Sequence, residues 1–453
     1  MTRPGEVGFA DLYELTMAAA YQRSGHTGTA TFDLFVRSLP SNRNFLVAAG
    51  LADVLDHLEA LAVSQAELDH LAGLEWVDDE FLDLLGDLSF TGEVWAVPEG
   101  EAVFPHEPLL RVTAPLIEAQ LVETKLLNLV GSQTMIASKA ARVALACGDR
   151  RFVEFGARRA HGGDAAVQAA RSAWIGGASG TSLVSAGVRH GVPLSGTMAH
   201  SFVMSFDDER DAFRAFARRF PDGAVLLVDT YDTEQGTRNA VQVAHELAGE
   251  GVRVSGVRLD SGDLTHLSRA VRHILDEGGL SDASIFASGD LDEYRITELL
   301  AAGAPIDAFG VGTQLSTSAD APNLGAVYKL VDDEAGPKIK LSADKVTLPG
   351  IKQVWRVGTD DRDEYDLIAL VDESPEPVGL TARPLLEHVM VAGRRTRPDP
   401  TLESLQARCR EAVARLPSRM HSLQQRERPY EVRWSDGVRD LVDRLTDAHR
   451  RPT

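Results

Sequence analysis

Between Arg151 and Val311 the chain repeats one plan: a short apolar run, a turn rich in Gly, Asp, Ser and Thr, then a stretch whose apolar residues recur with a helical period. The apolar runs are "RFVEF", "AVLLVDT", "VRVSGVRLD", "ASIFASG" and "IDAFGVG". Helical patterns such as "EQGTRNAVQVAHELAGEG" and "LTHLSRAVRHILDEGG" separate the last four. Strand starts mostly fall roughly 25 to 30 residues apart, the spacing of βαβ units, so parallel strands joined by right-handed crossovers are predicted. Doubly wound sheets and barrels both meet this pattern. Polar residues at the carboxyl end of every strand favour a barrel whose strand ends jointly build one site. The stretch "VPLSGTMAHSFVMSF", Val192 to Phe206, reads as another short strand ending in a turn at Ser195, Gly196 and Thr197, before the amphipathic helix "DERDAFRAFARRF". His200 is thereby expected near a strand's carboxyl end.

On either side the pattern changes. Upstream, "TGEVWAVPEGEAVFPHEPLLRVTAP" alternates apolar and polar residues between Gly and Pro, which predicts a small antiparallel sheet in a separate lobe. Downstream, "PKIKLSADKVTLPGIKQVWRV" and "YDLIAL" read as short strands, and the tail from Thr401 as charged amphipathic helices. "DDRDE" and "RRTRPDP" read as solvated loops. The expected division is an N-terminal lobe over residues 1–130, a barrel over 131–330, and strands and helices over 331–453 that complete the small lobe. With 453 residues, 44% of them hydrophobic, the chain can bury a sizeable core in two or three domains.

Charge narrows the function. A formal net charge of -21 and a pI near 5.0 oppose nucleic acid and anionic membrane as partners, so an anionic ligand has to be held by local donors. Cys147 and Cys409 fit no metal-ligand spacing or disulfide framework, and no segment approaches about 18 uninterrupted apolar residues. The N-terminus shows no signal-peptide pattern, and a cytoplasmic location is the expectation.

The strand ends carry the candidate chemistry: Arg158 and Arg159; Thr197 and His200; Asp229 and Asp232; Arg258, Asp260, Ser261, Gly262 and Asp263; Ser288, Gly289 and Asp290; Gly310, Gly312 and Thr313. Gly with Ser or Thr just before a helix lets backbone N–H groups converge on a phosphate, where the helix dipole favours negative charge. Three such turns in one series suggest a multiply phosphorylated ligand, although each alone is also an ordinary connector or cap. Arg258 ends an apolar strand and can grip a carboxylate or phosphate with two bonds. Asp229, Asp260, Asp263 and Asp290 suit ribose hydroxyls or Mg²⁺, with some of them serving only as helix caps. No lysine occurs from Ala140 to Tyr328, which removes a Schiff-base or P-loop lysine from this region. "LLVDTYDTEQGT" approaches the ribose-phosphate loop of Rossmann-like phosphoribosyltransferases, but Thr230 interrupts the paired acids.

"DLYELTMAAAY", "EFGARRAHG", "GTMAHSF", "VRLDSGDL" and "FGVGTQL", in this order over about the first 320 residues, resemble the nicotinate phosphoribosyltransferase family. The resemblance implies an irregular (β/α) barrel of the type II phosphoribosyltransferase kind with a smaller α/β sandwich lobe. It implies transfer of the phosphoribosyl group of 5-phosphoribosyl 1-diphosphate to nicotinate, giving nicotinate mononucleotide and diphosphate in NAD salvage, with coupled ATP hydrolysis. His200 would be phosphorylated by ATP, chemistry that suits a neutral imidazole. Tyr13 would stack on the pyridine ring from the neighbouring subunit of a homodimer with shared active sites. Thr197 and Arg258 would bind nicotinate, with Arg159 facing an anionic group. Asp260, Ser261, Gly262, Asp263, Ser288, Gly289, Gly310, Gly312 and Thr313 are the expected contacts to the phosphoribosyl diphosphate, and Asp229 and Asp290 the candidate Mg²⁺ ligands. The chain departs from the family pattern at Met198, where many relatives carry a second histidine, and in "GGASGTSL". Competing readings are a nicotinamide or quinolinate phosphoribosyltransferase, a sugar-phosphate lyase or isomerase on the same barrel, and a non-catalytic phosphate-binding regulator.

Overall fold

All five apolar runs of the repeated plan form strands: Arg151–Glu154, Ala224–Leu227, Val254–Leu259, Ser284–Ala287 and Ala308–Val311. They belong to one of two units of the computed structural model, which describes residues 6–341, 347–424 and 428–450. One unit comprises Met1–Ser138 and Asn323–Thr453; the other is Lys139–Pro322.

In the Lys139–Pro322 unit the five strands make a wholly parallel sheet, ordered Arg151–Glu154, Ala308–Val311, Ser284–Ala287, Val254–Leu259, Ala224–Leu227. Leu226, Val257, Leu259, Ile285, Phe309 and Val311 are fully enclosed, because helices cover the sheet as crossover connections require. Asp232, Asp263 and Asp292 each cap the helix that follows a strand, accepting backbone N–H groups of its first turn. Isolated parallel bridges from Glu154 to Thr181 and from Thr181 to Leu194 lengthen the row beyond Arg151–Glu154. This arrangement is compatible with an irregular barrel, although among the described residues no backbone ladder joins the two ends of the row.

The strand expected near Val192 shrinks to the single bridge at Leu194. Pro193 has no N–H for a ladder, while its carbonyl accepts from the Thr181 amide. His200 consequently does not end a strand. It opens the short helix His200–Met204, with Ala199 as N-cap.

The other unit holds a larger antiparallel sheet than the alternation predicted. Its seven strands run in the order Gly336–Pro337, Ala326–Asp333, Thr29–Val36, Pro108–Pro115, Glu93–Ala96, Glu387–Val391, Arg394–Arg395. Of the stretch read as one small sheet, Glu93–Ala96 and Pro108–Pro115 pair within it, but Ala102–Val103 leaves to pair with Leu46–Val47. A four-stranded sheet adds Thr381–Pro384, Lys352–Gly358, Asp363–Leu370 and Glu431–Trp434, the last running parallel to its neighbour. Part of the predicted strand region, residues 342–346, lies outside the described residues. The tail forms the helices Leu402–Arg415 and Asp436–Arg450. "DDRDE" is not simply a solvated loop, because Asp363 begins a strand, is 1% exposed, and accepts from Arg415 at 2.9 and 3.0 Å. Among the described residues, no helix is long and apolar enough to cross a membrane.

Candidate active site

The carboxyl ends of the parallel strands converge on one charge cluster. Arg258, near the end of Val254–Leu259, is held on four sides. Its Nε donates to Ser288 Oγ at 2.8 Å, Nη1 to Met198 O at 3.1 Å and Thr197 Oγ1 at 3.4 Å, and Nη2 to Asp260 Oδ1 at 2.7 Å. Its guanidinium carbon lies 5.8 Å from the centre of the Phe155 ring, within cation–π range. Ser288, itself buried, also donates to Asp260 Oδ1 at 2.5 Å. Burial pushes the Asp260 carboxyl upward, but the bond from Ser288, the bond and charge of Arg258 and the charge of His200 outweigh it. The net effect holds Asp260 below the usual carboxylate range, so it is an anion at neutral pH.

His200 faces the same carboxylate. Its Nε2 is 3.8 Å from Asp260 Oδ2, and its Nδ1 is 3.1 Å from the hydroxyl of Thr230, three residues beyond the strand Ala224–Leu227. Asp229 ties neighbouring turns together: its Oδ2 accepts from the Asp260 amide and from Ser261 Oγ, both at 2.8 Å. The turns require glycine where the chain doubles back. Gly262 and Gly289 have φ of 83° and 95°, and a Cβ on Gly289 would lie 2.1 Å from the carbonyl oxygen of Asp260. Asp290, exposed, also has a positive φ of 45°.

The other predicted residues fall into distinct settings. Asp263 is occupied as a helix cap, accepting from the amides of Thr265 and His266. Gly310 is buried inside Ala308–Val311, where a Cβ would meet the rings of Phe155 at 2.6 Å and Phe286 at 2.9 Å. It makes room for those rings, whereas Gly312 and exposed Thr313 form the turn that follows and open a four-residue helix. Arg159 is exposed in the turn after Arg151–Glu154, with its amide bonded to Gly156 O and no side-chain partner among the described residues. Tyr13 belongs to the other unit, on the helix Leu12–Ser24, and is 45% exposed. Burial, then Glu123 and Glu14, push its hydroxyl well above its ordinary pKa.

Among the described residues, no group of three or more His, Cys, Asp or Glu side chains could hold a metal by itself. Mg²⁺ held together with a phosphorylated ligand keeps waters and takes one or two carboxylates plus phosphate oxygens. The exposed Asp290 carboxylate fits that role. Asp229 Oδ1 has no hydrogen-bond partner but is closed off from solvent, so it fits less directly.

Comparison with known proteins identifies the family. Family models for the nicotinate phosphoribosyltransferase N-terminal domain, the nicotinate phosphoribosyltransferase family and the nicotinate phosphoribosyltransferase C-terminal domain match residues 9–131, 150–339 and 377–442. A Mycobacterium tuberculosis nicotinate phosphoribosyltransferase, pncB2, is 47% identical over 441 residues, covering 97% of this chain and 94% of its own. The chain belongs to the nicotinate phosphoribosyltransferase family. The Bacillus subtilis nicotinate phosphoribosyltransferase is 48% identical over 80% of this chain and 76% of its own. The crystal structure of human nicotinic acid phosphoribosyltransferase superposes with a TM-score of 0.87 at 31% identity, covering 96% of this chain and 99% of the human one. A Pyrococcus furiosus nicotinate-nucleotide pyrophosphorylase shares the fold at a TM-score of 0.72 and 25% identity, over 89% of this chain and 93% of its own.

Three features of this nicotinate phosphoribosyltransferase family member escaped the reading of motifs. Thr230, noted only for interrupting paired acids, contacts His200. Phe155 offers its ring to Arg258. Glu154, 1% exposed, accepts from the Gly156 amide and, at 2.6 Å, from Thr181 Oγ1, so it shapes the "FGARR" turn. A carboxylate closing an apolar strand was the available signal for Glu154. Nothing in the sequence distinguished Thr230 from a connector residue.

Proposed function

We propose that this protein joins nicotinate to 5-phosphoribosyl 1-diphosphate, giving nicotinate mononucleotide and diphosphate, and that ATP drives the reaction through phosphorylation of His200. The observation that carries this reading is the cluster of Arg258, Asp260 and His200, where a strand end meets the start of a short helix, in a chain of this family. Arg258 makes four hydrogen bonds that fix its plane, which leaves one of its five guanidinium N–H groups for a substrate carboxylate. Thr197, beside it, contributes a hydroxyl to nicotinate, and exposed Arg159 a charge for an anionic group.

The turns Asp260–Asp263, Ser288–Gly289 and Gly312–Thr313 then receive the phosphoribosyl diphosphate, with Gly310 acting from behind by seating the two phenylalanine rings. The pyridine nitrogen attacks the anomeric carbon as its bond to diphosphate breaks, so the protein's part is to position and to stabilise charge. Mg²⁺ bound by Asp290, with Asp229 as the second candidate, would neutralise the leaving diphosphate. Tyr13, with the neighbouring Leu12 60% exposed, stacks on the pyridine ring in the site of a second copy, making a homodimer with shared sites. In this reading residues 131–330 carry the chemistry, and 331–453 complete the lobe begun by 1–130. The buried free thiols of Cys147 and Cys409 support a reducing, cytoplasmic setting.

Product formation from nicotinate, the phosphoribosyl diphosphate and Mg²⁺, with and without ATP, tests the reading. Nicotinate mononucleotide is expected to rise with ATP in the wild type, and His200→Ala is expected to lose that rise. Product from nicotinamide or quinolinate but none from nicotinate would overturn the substrate assignment, and equal stimulation in His200→Ala would overturn the role of His200.

A further inference from the structure

We infer that Thr230 positions His200 for phosphorylation, presenting Nδ1 to the γ-phosphorus of ATP and then donating its hydroxyl to the transferred phosphoryl group. The inference rests on the phosphohistidine reading above and deepens it. The imidazole is bracketed from two sides, with the Thr230 hydroxyl 3.1 Å from Nδ1 and Asp260 Oδ2 3.8 Å from Nε2. A carboxylate facing Nε2 favours the tautomer that carries its proton there. Nδ1 then holds the lone pair and accepts from the Thr230 hydroxyl, a donor that can rotate away when phosphorus approaches.

The two flanking groups cannot drift apart easily. Asp229 Oδ2 accepts from the Asp260 amide and Ser261 Oγ, which fastens the turn carrying Thr230 to the turn carrying Asp260. On its other side the Thr230 turn runs into the helix Thr233–Ala248, capped by Asp232. That helix lies so close to the preceding strand that a Cβ on Gly236 would sit 2.1 Å from Val228 O. Thr230 is thus held at both ends while its side chain reaches the imidazole.

In the transfer step the Nδ1 lone pair forms a bond to the γ-phosphorus, the bond from that phosphorus to the bridging oxygen breaks, and ADP leaves with the electron pair. The proton on Nε2 stays in place, so the ring becomes an imidazolium facing the Asp260 carboxylate. Thr230 then donates to an oxygen of the bound phosphoryl group, replacing the bond it made to Nδ1. A methyl group in place of the hydroxyl keeps the volume and loses both bonds.

The test is labelling of the full-length protein with radioactive ATP and Mg²⁺, following acid-labile phosphate on His200 in wild type, Thr230→Val and Thr230→Ser. Thr230→Val is expected to label roughly tenfold more slowly, the effect of one lost hydrogen bond, and Thr230→Ser to recover most of the rate. Independently of any variant, nuclear magnetic resonance of the phosphohistidine from the wild type is expected to show the Nδ1-linked isomer. An Nε2-linked isomer, or Thr230→Val labelling at the wild-type rate, overturns this inference and leaves the phosphohistidine reading standing. No labelling of the wild type at all removes both.

Discussion

Two arginine–carboxylate clusters, one in each unit, use the same chemistry to opposite ends. In the unit comprising Met1–Ser138 and Asn323–Thr453, Arg356 donates to both oxygens of Asp366 at 2.9 and 2.6 Å, to Glu101 at 2.7 Å and to the Ala102 carbonyl at 2.8 Å, with its guanidinium over the rings of Phe104 and Tyr430. In the Lys139–Pro322 unit, Arg258 likewise makes four hydrogen bonds beside an aromatic ring. Bond count therefore does not separate them; water does. The side chains of Arg356 and Asp366 are both 0% exposed, whereas Asp260 is 31% and His200 39% exposed. An enclosed pair can only hold the fold, while an open one can exchange a partner for a ligand.

The largest effect expected from this contrast is on stability. Arg356→Ala strips both arginine bonds from buried Asp366 and one from Glu101, which keeps only Arg383 as a cationic partner, and should cost about 3–5 kcal/mol, read from the denaturant midpoint. A midpoint close to wild type would erase the distinction between the clusters. Arg258→Ala, by contrast, is expected to act on turnover: kcat/KM for nicotinate should fall by about 2–3 kcal/mol, roughly 30- to 150-fold, the scale of a hydrogen bond to a charged group. Its unfolding midpoint should move far less than that of Arg356→Ala. The reverse ranking would make Arg258 a structural residue.

A smaller effect separates the units by pH. Burial, reinforced by Glu123 and only partly offset by two bonds from Thr124, raises the Glu14 carboxyl from 4.5 to about 7. A carboxyl raised in the folded state contributes stability that is complete below its unfolded pKa and is lost as pH rises through the folded one. Stability should thus decline by about 1–2 kcal/mol between pH 5 and 8 on account of Glu14. Asp260 has the opposite sign, since its carboxyl is held low and its contribution disappears only as pH falls below the ordinary carboxylate range. Thermal unfolding of wild type and Glu14→Gln over pH 5 to 8 checks the first sign, and parallel curves for the two proteins would contradict it.

Legibility followed the range of the interactions involved. The parallel strands were readable because each pairs an apolar run with the polar turn and helix that follow, all within about 30 residues. The antiparallel sheet was not, because Thr29–Val36 pairs with both Pro108–Pro115 and Ala326–Asp333, partners far apart in the chain. Glu431–Trp434, enclosed in a charged tail, carried too short an apolar signal to reveal its pairing with Asp363–Leu370. At the site, Arg258 stood out because a charged group at the end of an apolar segment is unusual, and His200 because of its motif, although it opens a helix instead of following a strand. Thr230 stayed hidden because a threonine in a turn is ordinary until its neighbour is known.

Sequence alone determined the parallel strands and the turns carrying Asp229, Asp260 and Ser288, though not the helix that His200 opens, and its motifs identified the family, because these are written in short contiguous segments. Tertiary structure decided what those residues do to one another. In the sequence, Arg258 and Arg356 are both arginines within apolar runs with acids soon after them, "VRLD" and "VWRVGTDD". Only the folded chain shows that one carboxylate is shared with a half-exposed histidine and the other is sealed away. The reason is physical: solvent access and the approach of side chains about 30 to 60 residues apart are properties of packing, which no local pattern encodes.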